Sequence, residues 1–222
     1  MAEPSPRKKE IVSSEYIYPV TNKMYLNRNF PSRRLNYFEL VRKRKSSQKL
    51  KRMNESLLPE LLWYSCKSID IAIEPSGYIW SHRPAPSAGG RHPIDIVVST
   101  PKRIDKRNLS LYNPIDHSLS ELNLDAKHTK KFFIEVNKVL KIDSAIVIWF
   151  VAHLKRTESK YLNSMSLLWR DVGALLYCIQ IACTALGLSS CPIGRLGESR
   201  LSRMFNNKKI IGVGGIILGG MS

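Results

Sequence analysis

Residues 172–194 run for 23 positions without one charged side chain, in a chain of 222 residues of which 24% are charged. Such a stretch has two destinations, a bilayer or the interior of a fold. A helix that crosses a bilayer needs roughly 20 apolar residues in a row, and this run breaks at Gly187 after about 15. Gln180, Thr184, Ser189, Ser190 and Pro192 dilute it further. The stretch therefore reads as a buried core helix followed by a loop, with no membrane span. A chain of this length can bury a full core without a metal or disulfide staple, and one domain is the expectation.

The rest of the chain is strongly basic. Lys and Arg number 35 against 18 Asp and Glu, a formal net charge of +17. A balance of that kind points to an anionic partner: nucleic acid, lipid headgroups, a phosphate cofactor or an acidic peptide. Hydrophobic residues at 43% exclude a wholly disordered chain. The four cysteines, Cys66, Cys178, Cys183 and Cys191, form no CxxC pair and have no metal-binding histidine spacing beside them. They suit a reducing cytoplasm rather than a zinc site or a disulfide framework. Residues 1–15 are polar and lack the apolar segment of a secretory signal.

Residues 1–30 mix Ser, Pro and charge without a period, and read as a flexible basic lead-in with one short strand; residues 31–222 read as the domain. Helices are expected over residues 37–45, with Asn36 as cap, and over 56–66, 128–141 and 198–205, besides the uncharged one. Strand character falls on 94–99, 109–112, 145–151 and the Gly-rich 210–218. Helices and strands alternate without regular βαβ spacing, which favours α+β over a doubly wound sheet.

Three segments carry chemistry. Between Arg33 and Arg52 there are nine Lys or Arg and only Glu39 opposes them. At the end of the first helix, Arg44, Lys45, Ser46, Ser47 and Gln48 offer cations and hydroxyls that could hold a phosphate; a solvated basic face is the plainer alternative. The second is Arg83-Pro84-Ala85-Pro86-Ser87-Ala88-Gly89-Gly90-Arg91-His92-Pro93-Ile94-Asp95. Small residues there let a flat ligand lie against backbone N–H groups, although an ordinary surface turn has the same composition. The third, residues 185–194, ends the core helix at Gly187 and continues through Pro192, Ile193 and Gly194.

In this order the three resemble the nitroreductase superfamily of flavin enzymes: its Arg-rich phosphate motif, its Pro-Ser loop under the isoalloxazine, and its Gly-Ser-Cys-x-Ile-Gly turn. Leu61-Leu62-Trp63, Leu111-Tyr112-Asn113-Pro114 with His117 and Leu119, and Lys160-Tyr161 narrow the resemblance to the SagB-type dehydrogenases of azole-forming peptide pathways. The likeness covers roughly residues 37–220. It implies an α+β nitroreductase-like fold, a mixed and mainly antiparallel sheet flanked by helices, closed as a two-fold homodimer with the uncharged helix near the interface. It also implies FMN, bound by Arg44, Lys45, Ser46, Gln48, by Pro86, Ser87, Ala88, Gly89 and Gly90, and by Pro192, Ile193 and Gly194. The implied reaction oxidises thiazoline or oxazoline rings of a ribosomally made peptide, with Lys160 and Tyr161 at the proton-transfer step. Lys160 would need burial or neighbouring positive charge to act as a base.

Departures from the family pattern are specific. Gln48 replaces an Arg, Lys160-Tyr161 lies about one residue nearer Gly173 than in the family and lacks its intervening Arg, and Asp171 and Ala174 stand where Glu and His are common. The sequence also stops at Ser222, where many nitroreductases supply a further phosphate-binding Lys or Arg, so weakened FMN affinity is an expectation. Two alternatives follow: an NAD(P)H-dependent nitro or quinone reductase, and a flavin-deficient scaffold subunit of a peptide-modifying complex. The surplus charge over residues 102–107, 127–141 and 195–209 is expected to meet an acidic leader peptide or cyclodehydratase partner proteins rather than nucleic acid.

Overall fold

The computed structural model describes residues 2–13, 15–207 and 210–221. Lys208 and Lys209, the last of the basic 195–209 stretch, and Ser222 lie outside them. In chain order the elements are β1 (Ser5–Pro6), β2 (Val20–Tyr25), α1 (Tyr37–Lys43), α2 (Leu57–Cys66), β3 (Asp70–Ile73) and β4 (Ile79–His82). There follow β5 (Ile94–Ser99), β6 (Ser110–Asn113), β7 (Ser118–Leu122), α3 (Ala126–Val139), β8 (Ile146–Ala152) and α4 (Leu154–Glu158). The chain ends with β9 (Tyr161–Leu162), α5 (Met165–Ala185), β10 (Leu188–Ile193), α6 (Glu198–Met204) and β11 (Ile211–Gly220).

Seven strands form one sheet in the order β10-β11-β8-β5-β6-β7-β2, and every pairing in it is antiparallel. The only parallel ladder contact among the described residues is a single bridge between Ser46 and Ser190. β8 is apolar along its length because both of its faces are covered. Ile146, Ile148 and Phe150 point to the side packed by α2 and α5; Val147, Trp149 and Val151 point to the side packed by α3 and α6. Burial of each such side chain contributes about 1.5–3 kcal/mol. The result is an α+β fold with a helical layer on each face of a mainly antiparallel sheet.

The uncharged stretch lies in α5 and β10. The helix is longer than its sequence period indicates: it begins at Met165 and spans 21 residues. By length and composition alone it could cross a membrane, with a mean hydropathy of 1.2 over its most apolar window. In this fold Leu168, Val172, Leu175, Ile179 and Cys183 instead bury one side of it against the sheet and α2. The expected loop after Gly187 is a strand, β10, paired with β11 along its whole length.

Two strands of the N-terminal thirty residues pair with the rest of the fold. β2 is the outermost strand of the large sheet, and β1 pairs with β9. Tyr16 and Tyr18 pack edge-on against one another and on Phe205. β3 and β4 form a separate hairpin.

Trp149 is 1% exposed, packs edge-on against Phe132 at 4.8 Å and donates its indole N–H to Leu196 O at 3.2 Å. Trp149→Ala is expected to lose about 3–5 kcal/mol in urea unfolding. Ile134→Ala, on the exposed side of α3, should change stability by no more than about 0.5 kcal/mol.

Candidate functional site

The loop after β4 is shaped by its small residues and pinned by one carboxylate. Ser87 is extended, residues 88–90 form a single 3-10 turn, and Gly89 and Gly90 adopt φ of +60° and +65°, conformations that favour glycine. Ser87 donates its hydroxyl to Asp171 Oδ2 at 2.6 Å and accepts the His92 N–H at 2.8 Å. The Ala88 N–H donates to Asp171 Oδ1 at 3.2 Å. Burial in α5 raises the Asp171 pKa above the usual carboxylate value, against the opposing pull of these two hydrogen bonds.

Lys160 and Tyr161 come to this loop from the other side. A Cβ on Gly89 would lie 2.9 Å from Lys160 Cδ and 2.9 Å from Tyr161 Oη, so only glycine permits the approach. Gly90 is closed in the same way by Trp80, whose indole nitrogen would collide with an added Cβ. Two segments seventy residues apart in sequence thus meet through their least bulky atoms. The Lys160 ammonium lies 3.4 Å from Glu10 Oε1, so its charged neighbour is a carboxylate, which favours the charged form and not the base. Glu10 also pairs with Arg91 at 2.6 Å. Residues 5–11 hold this arrangement by backbone bonds, Arg7 N–H to Lys160 O and Ile11 N–H to Ser159 O.

The basic segment docks elsewhere on α5. Asn36 caps α1 by accepting the Phe38 and Glu39 N–H groups, and the helix stops one residue before Arg44. Ser46 bridges to Ser190, the Ser47 N–H donates to Ser190 O at 2.9 Å, and Gln180 Nε2 donates to Ser46 Oγ at 3.3 Å. Arg44 is half-buried, Lys45 and Gln48 are exposed, and among the described residues neither cation has a carboxylate partner. Pro192 and Ile193 belong to β10, opposite Ile216 and Gly215, and Gly194 follows in the open. The first and third segments are therefore neighbours. The second is held by Asp171, nine residues from Gln180 along the helix, which is about 13 Å at 1.5 Å per residue.

The Leu111-Tyr112-Asn113-Pro114 segment and His117 form the β6–β7 hairpin. Tyr112 donates its hydroxyl to His117 Nδ1 at 2.8 Å, and His117 Nε2 donates to Asn27 O at 3.1 Å. Burial lowers the His117 pKa to about 4. Burial, aided by the charge on Arg83, lowers that of His92 to about 3. Two features escape sequence inspection. One is the clamp role of Asp171, which the sequence marks only as an Asp where the family commonly has Glu. The other is a buried polar group in which Asp95 accepts from Arg156 at 2.7 Å and lies 2.9 Å from His153. Burial there would raise the Asp95 pKa, but Arg156 and His153 outweigh it and hold the carboxyl well below its usual range. No cluster of three metal-binding side chains occurs among the described residues.

A model of the nitroreductase family matches residues 41–220, and the chain belongs to that family. Nitroreductases are oxidoreductases that typically bind a flavin. Among curated proteins none matches the chain by sequence. Among solved structures, the fold is similar to a candidate nitroreductase from Ralstonia eutropha JMP134, with a TM-score of 0.63 at 18% identity, covering 100% of this chain and 99% of that one. It is similar to the E. coli microcin synthetase McbBCD complex with truncated pro-MccB17 bound, with a TM-score of 0.58 at 13% identity over 90% of this chain and 79% of that one. A candidate NADH oxidase from Clostridium acetobutylicum matches with a TM-score of 0.52 at 16% identity over 82% and 87%. Identities this low speak for the fold.

His92 and His117 stay neutral in the fold down to about pH 3 and about pH 4. Unfolded, both would take up protons near pH 6.5. Between those values the unfolded chain binds more protons, so stability rises with pH across the window and is lost on acidification. Urea unfolding at a series of pH values is expected to show this fall below about pH 6.5. His92→Asn, which tolerates the positive φ at that position, should make it shallower.

Proposed function

We propose that the chain is an FMN-dependent dehydrogenase that oxidises thiazoline or oxazoline rings of a ribosomally synthesised precursor peptide to thiazoles or oxazoles. The observation that carries this reading is the meeting of Lys160 and Tyr161 with Gly89. A family-type ring-binding loop and a family-type proton-transfer pair share one place in the fold. The likeness to a microcin synthetase complex with a pro-peptide bound supports it.

The residues fit the flavin at both ends. Arg44 and Lys45, free of carboxylate partners, with the Ser46 hydroxyl, suit a phosphate; Gln48 replaces one charge with an amide donor. The Pro86–Gly90 backbone suits the edge of a flat ring, and Pro192, Ile193 and Gly194 would border it. Bound FMN would supply the two-electron acceptor. The protein's part is then to hold the azoline ring beside the Lys160–Tyr161 pair and to receive the proton that leaves with the electron pair. Tyr161 Oη and Lys160 Nζ are the groups beside Gly89; Lys160 would take that proton only as the neutral amine, its ammonium proton having first passed to Glu10. A second copy of the chain would pack on the apolar side of α5, where Tyr37 and Tyr177 meet at 3.3 Å in the open. The basic surface would face an acidic leader peptide or cyclodehydratase partners in the cytoplasm.

Two competing readings stay defined by observations. The likeness to a candidate NADH oxidase favours an NAD(P)H-dependent nitro or quinone reductase. Gln48 in place of a cation, with Glu10 beside Lys160, favours a flavin-deficient scaffold.

The purified protein is expected to become yellow and to retain FMN through gel filtration; a colourless protein at saturating FMN supports the scaffold. Lys160→Ala and Tyr161→Ala should keep flavin absorbance and slow azoline oxidation by about 10²- to 10⁴-fold, measured as the 2 Da mass loss per ring. Turnover that requires reduced nicotinamide and ignores azolines supports the reductase.

A further inference from the structure

A cavity of about 400 Å³ opens between the N-terminal segment, the β3–β4 hairpin and the loop before β7. Its walls include Tyr16, Tyr78, Ile79 and Ile115, which give it aromatic and aliphatic surface. Three arginines line it, Arg83, Arg91 and Arg156. Arg156 is matched by Asp95 at 2.7 Å and Glu15 at 2.7 Å. Arg91, with no solvent exposure, is matched by Glu10 and Glu74, yet its Nε and Nη1 are buried without a hydrogen-bond partner.

Arg83 is different. Its Nε donates to Ser81 Oγ at 3.0 Å, and no carboxylate is within ion-pairing distance of it among the described residues. Burial, followed by the charge on Arg156, lowers its pKa, and Asp95, beyond ion-pairing distance, offsets this only in part. A guanidinium facing a cavity with its terminal N–H groups unused is a site for an oxyanion. The other walls limit which one. Asp95 and Glu15 also line the cavity and repel a dianion, so a phosphate is disfavoured relative to a single negative charge. The volume is that of a small-molecule site.

We propose that this cavity is a second ligand site, which takes a small organic monocarboxylate, its carboxylate on Arg83 and its apolar body among Tyr78, Ile79 and Ile115. The site is built from residues that the flavin reading does not use, and it stands or falls independently of that reading.

Calorimetric titration of the full chain with phenylacetate, its neutral amide phenylacetamide, and inorganic phosphate tests it. Phenylacetate should bind saturably and about ten- to a hundredfold more tightly than the amide, the worth of one charge-assisted hydrogen-bonded contact. Phosphate should bind more weakly than phenylacetate. This comparison uses the unaltered protein and does not depend on the folding of any variant. In Arg83→Gln, checked by thermal unfolding, phenylacetate affinity should drop to that of the amide. No saturable phenylacetate binding, equal affinity for carboxylate and amide, tighter binding of phosphate, or unchanged affinity in a folded Arg83→Gln protein overturns the proposal.

Discussion

One helix carries the burden of both core and site. α5 buries Leu168, Val172, Leu175 and Ile179 against the central strands, which fixes its rotation and its height over the sheet. Two buried polar side chains then reach from that fixed frame to the loops beside it. Asp171 holds the Ser87–Ala88 turn, and Gln180 holds Ser46. The spacing between the two docking points is therefore set by helix geometry and not by the loops themselves. Loops rich in Gly, Pro and Ser have little internal structure of their own; a rigid element beneath them supplies it.

The burial of Asp171 explains why this anchor is a carboxylate. A neutral amide offers one acceptor oxygen, whereas the carboxylate presents two, and both are used, one by a hydroxyl and one by a backbone N–H. The desolvation that raises its pKa is the cost of placing it there. Similar reasoning applies to Asp95, where the opposing cations are close enough to reverse the sign. Two buried aspartates in one domain thus have pKa values displaced in opposite directions, because desolvation outweighs the hydrogen bonds at Asp171 whereas Arg156 and His153 outweigh desolvation at Asp95.

Much of the fold is legible in the sequence where a single face or a continuous run decides the element. Residues 94–99 are a β-branched run and form β5 over the same residues; Asn36 caps α1 as its side chain allows. Legibility fails where pairing is non-local. β1 has two residues and exists because the backbone of Tyr161–Leu162 lies opposite it. β10 hides in a Gly, Ser and Pro composition that resembles a turn until β11 is placed beside it. The start of α5 is masked by Trp169, Arg170 and Asp171, which interrupt the apolar run but sit on a helical continuation. At the site, the residue types of residues 84–93 and 160–161 are readable, but not that they touch. Glu10 could not have been chosen from the sequence, since it lies in a segment with no period and 150 residues from the lysine it pairs with.

That last contact changes how the N-terminal segment has to be regarded. Residues 5–11 run antiparallel to 158–162 and supply a carboxylate to Lys160 and Arg91. Residues 5–11, which a tag, a fusion partner or a trimmed expression plasmid would ordinarily treat as expendable, lie directly against Ser159 and Lys160. A change at that end alters the charge beside Lys160, and two preparations that differ only in their first dozen residues are chemically different proteins there.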